Sequence, residues 1–283
     1  MADGITGINQ ISGSLSARQI FGRVWTAAVE KAYLADPRVC PTLTLNKLRA
    51  TIPLMGNLAV QSQLKEFEHS LVKNATPAGI DINLYKDRVK ISVSDEATLD
   101  SDVGDPLAIQ RGQAASELAA NLEKLIAESL ATTPQTYTPA NWSSVSPLLT
   151  IGQMINQLRP YRASAVIMAP DVYAAYVAKL GNGIFLGGSA ADLEKGFLTV
   201  PGYNIPVLSS TAWADASANT VAVVANDCPA VVLGQGGVKA REWDDPELGA
   251  KVYQYDVWRT PVSNLRQTDS NKNRGVITCV IST

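Results

Sequence analysis

The chain has 283 residues, 46% of them apolar and 18% charged, with a net charge of −2. That length allows one large domain or two ordinary ones around a sizeable core. The balanced charge gives no global basic field for nucleic acid or membrane, and no apolar run approaches the ~20 residues of a membrane span.

Three cysteines, Cys40, Cys228 and Cys279, lie far apart with no CxxC pair. That argues against a structural zinc site and reads as free thiols in a reducing compartment. The first residues, "MADGITGINQISGSLS", lack the apolar core of a signal peptide. Residues 1–50 carry six basic and three acidic side chains, a small surplus that mostly solvates a surface.

Residues 1–16 are rich in Gly, Ser, Asn and Gln and read as an arm held only by neighbours. "SARQIFGRVWTAAVEKAYLAD" follows. Ile20, Phe21, Val24, Trp25, Val29 and Tyr33 fall on one broad helical face, with Ser16 as N-cap and a stop near Asp36, before Pro37. Residues 58–73 and 80–93 read as two strands around the turn-rich "NATPAG", 74–79. In the second, Ile80, Ile82 and Leu84 alternate with polar residues, and then Val89, Ile91 and Val93 alternate in the opposite phase. A bulge or bend near Tyr85–Arg88 would produce that change.

An acidic segment comes next, with Asp95, Glu96, Asp100, Asp102 and Asp105 and no Lys or Arg from 91 to 110. It runs into a predicted helix over 105–131 that starts on Pro106. Leu107, Ala114, Ala115, Leu118, Leu122, Leu125, Ile126 and Leu130 make its apolar stripe, opposite Gln110, Gln113, Glu117, Asn121, Lys124 and Glu128. At ~1.5 Å per residue such a rod is roughly 39 Å long and wet along one side. Residues 132–147 read as a loop and 148–158 as a short helix. "ASAVIMAPDVYAAYVAKLG" reads as a strand to Met168 and a helix from Pro170 to near Gly181. "GFLTVPGYNIPVLSS" reads as a hairpin turning at Pro201–Gly202. "TVAVVAN", "AVVLG", "VKAREWD", "KVYQYDVWRT" and "GVITCVIST" read as further strands. The order is that of an α+β chain rather than a regular βαβ series.

Catalytic equipment is sparse. His69 is the single histidine and reads as structural, so no Ser-His triad can be assembled. "GQGGVK", 234–239, lacks the Walker and dinucleotide spacings and reads as a tight turn. "DSDVGD", 100–105, is out of register for a calcium loop and reads as acidic capping of the helix behind it. No catalytic, cofactor-binding or metal-binding residues are assigned. A hydrolase using the acidic run is the weakest reading, because five carboxylates in a row lack the facing geometry of acid–base work.

"LYKDRVKISVSDEATLDSDVGD" before the long helix, "ASAVIMAPDVYAAYVAKL", and "FLTVPGYNIPVLSS" before "TVAVVAN" together resemble the Hong Kong 97-like major capsid proteins of tailed double-stranded DNA viruses. The resemblance runs from about residue 45 to the end and rests on the order of elements. It implies an arm with an amphipathic helix over 1–46 and an extended hairpin loop over 47–93. It implies a peripheral domain over 94–146 and 236–273 with the spine helix 105–131, and an axial domain over 147–235 and 274–283. It further implies pentamers and hexamers of an icosahedral shell, in a virion assembled in the host cytoplasm. The DNA inside would be contacted non-specifically, with scaffolding, portal and decoration proteins as partners and no membrane. The chain has no room for a long scaffolding segment, and no Lys–Asn cross-linking pair can be mapped. An encapsulin-like compartment shell is the alternative on the same fold. The expected subunit contacts are Phe21, Trp25, Val29 and Tyr33 on the first helix, and Asn74, Thr76 and Pro77 at the hairpin tip.

Overall fold

A computed structural model describes residues 32–55, 77–94, 106–132, 134–180, 198–225, 227–247, 249–263 and 272–282. In chain order the strands are β1 (Thr42–Thr44), β2 (Arg49–Met55), β3 (Pro77–Asn83), β4 (Tyr85–Ser94), β5 (Pro134–Thr136), β6 (Ala140–Asn141) and β7 (Ala163–Met168). They continue as β8 (Leu198–Val200), β9 (Ile205–Ser209), β10 (Thr220–Ala225), β11 (Val231–Asp245), β12 (Ala250–Ser263) and β13 (Asn273–Ser282). The helices are α1 (Pro106–Leu130), α2 (Pro147–Gln157), α3 (Pro170–Leu180) and α4 (Thr211–Ala216).

The described strands form three sheets. One is a four-stranded sheet in the order β1-β11-β12-β4. Another runs β5-β13-β10-β7-β9-β8, with β6 also paired to β13. The third is the two-stranded ribbon β2-β3. The architecture is α+β, as the alternation of strands and helices predicts.

Helix α1 forms where its apolar repeat predicts. Ala114, Ala115, Leu118, Leu122, Ile126 and Leu130 are buried, while Gln113, Glu117, Asn121, Lys124 and Glu128 are exposed. The buried stripe packs on β4 and β12 and meets α4. Ile91 and Val93 of β4 and Tyr253, Tyr255 and Val257 of β12 share its hydrophobic cluster, which continues into the larger sheet. In that sheet β10 is buried at every residue, the mark of a strand covered on both faces. α2 packs against β10, and α4 packs against β7.

Several expectations change. The predicted strand 58–73 lies outside the described residues, and the strand paired with β3 is β2, earlier in the chain. The predicted strand 80–93 is two strands. β3 belongs to the ribbon and β4 to the four-stranded sheet, with the break at Leu84. The change of phase marks a strand leaving one sheet for another. Residues 77–79 are ladder residues opposite Pro53–Met55, not part of a turn. Pro77 is the first residue of β3, a place where a missing N–H is tolerated.

"GQGGVK" is not a turn either. β11 runs through it, with a shift in register between Gln235 and Val238, so two predicted strands are one. The glycine is needed for approach: a Cβ on Gly236 would lie 2.6 Å from Leu84 Cδ1 and 3.2 Å from Trp258 Cβ. The corner at Leu84 therefore seats against the bulge, where an added methyl would push the end of the Leu84 side chain aside.

Candidate assembly surfaces

The chain's first described residues are fastened to the body. Tyr33–Ala35 form a 3-10 turn, with Leu34 fully buried beside Val39 and Cys40. Asp36 accepts hydrogen bonds from the backbone and guanidinium of Arg38. Ser164 donates to the Arg38 carbonyl at 2.5 Å. Burial pushes the Cys40 thiol up to about 12, which keeps it an inert core residue. Tyr33 sits on the turn with its ring half-exposed. Phe21, Trp25 and Val29, and with them the predicted helix face, lie outside the described residues. So do Asn74 and Thr76; Pro77 stands opposite Met55 in the ribbon.

The ribbon β2-β3 pairs seven residues a side and joins neither larger sheet. Two strands alone are marginal in water. At its base Leu48 is 56% exposed and Tyr85 68%, and the Leu84 N–H donates to the Leu48 carbonyl. Thr51 donates to Asp81 at 2.6 Å across the strands. A polar recess here is lined by Lys47, Arg49, Thr51, Asp81 and Asn83. A second group of exposed apolar side chains, Leu149, Val177 and Tyr203, lies on α2, α3 and the β8–β9 turn.

Charge is organised on both faces of the four-stranded sheet. On the α1 face Arg259 is fully buried and donates through Nε to Asp87, while Asn121 of α1 reaches Asp87 at 3.5 Å. Burial pulls the Arg259 guanidinium below its ordinary value, and Asp87 opposes that pull. On the other face Arg88 Nε donates to Asp256 Oδ1 at 2.7 Å, and Gln254 Nε2 donates to the same carboxylate at 3.1 Å. Arg88 holds the Asp256 carboxyl below the usual carboxylate range, chiefly through that hydrogen bond.

Sequence reading by summed charge overlooks these residues. The signal is a period of two: Lys86, Arg88 and Lys90 on β4, and Lys239 and Arg241 on β11. Alternate residues of a strand share a face. Among the described residues no three His, Cys, Asp or Glu side chains gather as a metal site, and no helix is long and apolar enough to cross a membrane.

No family model matches the sequence, and no curated protein is similar to it. Solved structures do match. A chain from Microbacterium phage Oxtober96 covers 89% of this chain and 91% of its own, with TM-score 0.63 at 11% identity. The mature capsid of bacteriophage PhiM1 gives TM-score 0.58 at 9% identity, over 88% of this chain and 86% of that one. A virus-like particle from Pyrococcus furiosus gives TM-score 0.56 at 12% identity, over 91% of this chain and 98% of that one. Matches that span nearly the whole chain show its fold, which is the Hong Kong 97-like fold of these phage capsid and virus-like-particle chains.

Proposed function

We propose that the chain is a shell subunit, the major capsid protein of a tailed double-stranded DNA virus, forming the pentamers and hexamers of an icosahedral shell around the genome. The carrying observation is likeness to a mature phage capsid along most of both chains. The ribbon β2-β3 supports it, because a two-stranded element with an exposed apolar base needs a neighbour to cover it. On this reading the ribbon reaches across a neighbouring subunit, with contacts that include Pro77, Asn74 and Thr76. Phe21, Trp25, Val29 and Tyr33 face a neighbour or the inner side of the shell. α1 with the four-stranded sheet is the peripheral domain, and the larger sheet is the axial domain. Assembly takes place in the host cytoplasm, with scaffolding, portal and decoration proteins as further partners, and the role is structural, not enzymatic.

A compartment shell holding protein cargo is the second reading, favoured by the Pyrococcus furiosus particle. Electron microscopy of the purified chain is the test. Capsomers or closed particles are expected. A ~30 kDa species at every concentration and salt would overturn both readings. Nucleic acid inside particles recovered from the native source supports the virus, and a single enclosed enzyme supports the compartment.

A further inference from the structure

The face of the four-stranded sheet turned away from α1 has a built charge pattern. Paired residues share a face, and β4, β12 and β11 align Arg88, Asp256 and Lys239 in one row. Lys90, Gln254 and Arg241 form the next row. Strands lie about 4.8 Å apart, so the two cationic columns stand about 10 Å apart with β12 between them. Lys86 extends the β4 column and comes within 3.9 Å of Asp256. Buried Gln254 and Asp256 form the floor. Lys239 lies 5.9 Å over the Trp258 ring and Lys90 5.9 Å over Trp243, so the two indoles flank the trough. All five cations are exposed, against one carboxylate.

The complementary charge is in the same sequence. Residues 91–110 hold five carboxylates and no Lys or Arg. Asp100 and Asp102 are two apart, like Lys239 and Arg241. An extended strand repeats every two residues at about 6.8 Å, so the spacings agree. The chain's own run must join Ser94 to Pro106 of α1, which packs on the opposite face. A neighbour's run carries no such constraint. A nucleic acid is the weaker occupant, because the chain is net negative and a carboxylate sits in the floor. We propose that this trough is a subunit contact that receives the acidic run 95–105 of a second copy of the chain. The proposal rests on the shell reading and adds which surface meets which.

The test is a charge swap in the full chain. Lys239→Glu with Arg241→Glu, and separately Asp100→Lys with Asp102→Lys, should each raise the concentration needed for assembly about tenfold or more. Light scattering reads that threshold, and circular dichroism checks the fold. All four changes in one chain should return the threshold to within about threefold of the parent. Mixed chains carrying Lys239→Cys or Asp102→Cys should form disulfide-linked heterodimers, since Cys40, Cys228 and Cys279 are buried. If the reversals prevent folding, Lys239→Ser with Arg241→Ser and the cysteine mixture still decide. Unchanged thresholds, or reversals that the swap does not rescue, would overturn the contact while leaving the shell intact. Loss of retention of a DNA duplex in Lys239→Glu with Arg241→Glu, with assembly unaffected by Asp100→Lys with Asp102→Lys, assigns the face to nucleic acid and also overturns it. A parent chain that never assembles defeats the shell reading itself.

Discussion

Gly275 lies where β13 passes Cys228–Ala230 with no space for a side chain. A Cβ there would be 2.1 Å from the Cys228 carbonyl oxygen and 2.8 Å from the Ala230 nitrogen. Both are backbone atoms, so no rotamer relieves the contact. The segment is also fixed by hydrogen bonds: Asn273 Nδ2 donates to the Ala230 carbonyl at 2.8 Å, and the Gly275 N–H donates to Asn273 Oδ1 at 3.0 Å. Gly275→Ala should therefore cost about 3 kcal/mol or more, at the upper end of overpacking effects. Urea unfolding monitored by tryptophan fluorescence would measure it. A loss under about 1 kcal/mol would mean that β13 and the 228–230 segment can move apart. Nothing in "NRGVITCV" announces this in advance, because the contact is made with a segment more than forty residues earlier in the chain.

At the scale of elements, local periodicity was legible and contact geometry was not. α1 was readable because Leu118, Leu122, Ile126 and Leu130 repeat with the helical period and all are buried. The helix α4 was missed, although its signal was present: Ser210 caps it by accepting from the Trp213 N–H at 3.2 Å, and only one turn of apolar residues follows. The glycines at 236 and 237 and the residues 77–79 carry turn composition but serve a bulge and a strand end, since composition does not report what lies alongside. The ribbon β2-β3 is the element that the proposed shell assigns to a neighbouring subunit. Replacing 54–78 with a short turn should leave the thermal midpoint within about 3 °C, because the change keeps Ile82 and Leu84, the buried side chains at the ribbon's base that pack on β11. The same chain should fail to form particles in the electron microscope. A fall of 10 °C or more would make the ribbon part of the subunit's own core.

At the scale of the molecule, α1 joins the two large sheets. Its inner stripe packs on β4 and β12, and Asn121 reaches Asp87 on that sheet. Two residues on, and so on the other side of the helix, Glu123 takes a hydrogen bond from Ser210, the residue between β9 of the larger sheet and α4. Burial raises the Glu123 pKa, and the Ser210 hydroxyl recovers part of that cost. A carboxyl whose folded pKa is raised binds its proton more tightly in the folded chain than in the unfolded one. Its effect on stability is therefore most favourable below the unfolded value of about 4.3 and is lost as pH rises through the folded value. Glu123→Gln keeps an acceptor for Ser210 and removes the charge. It should match the parent at pH 4 and melt at a higher temperature at pH 7, with the gap opening as pH rises. Thermal unfolding of both chains across that range measures the gap. A gap that is constant with pH, or a variant less stable at pH 7, would mean that Glu123 is held as a charge and that the joint between the sheets depends on it.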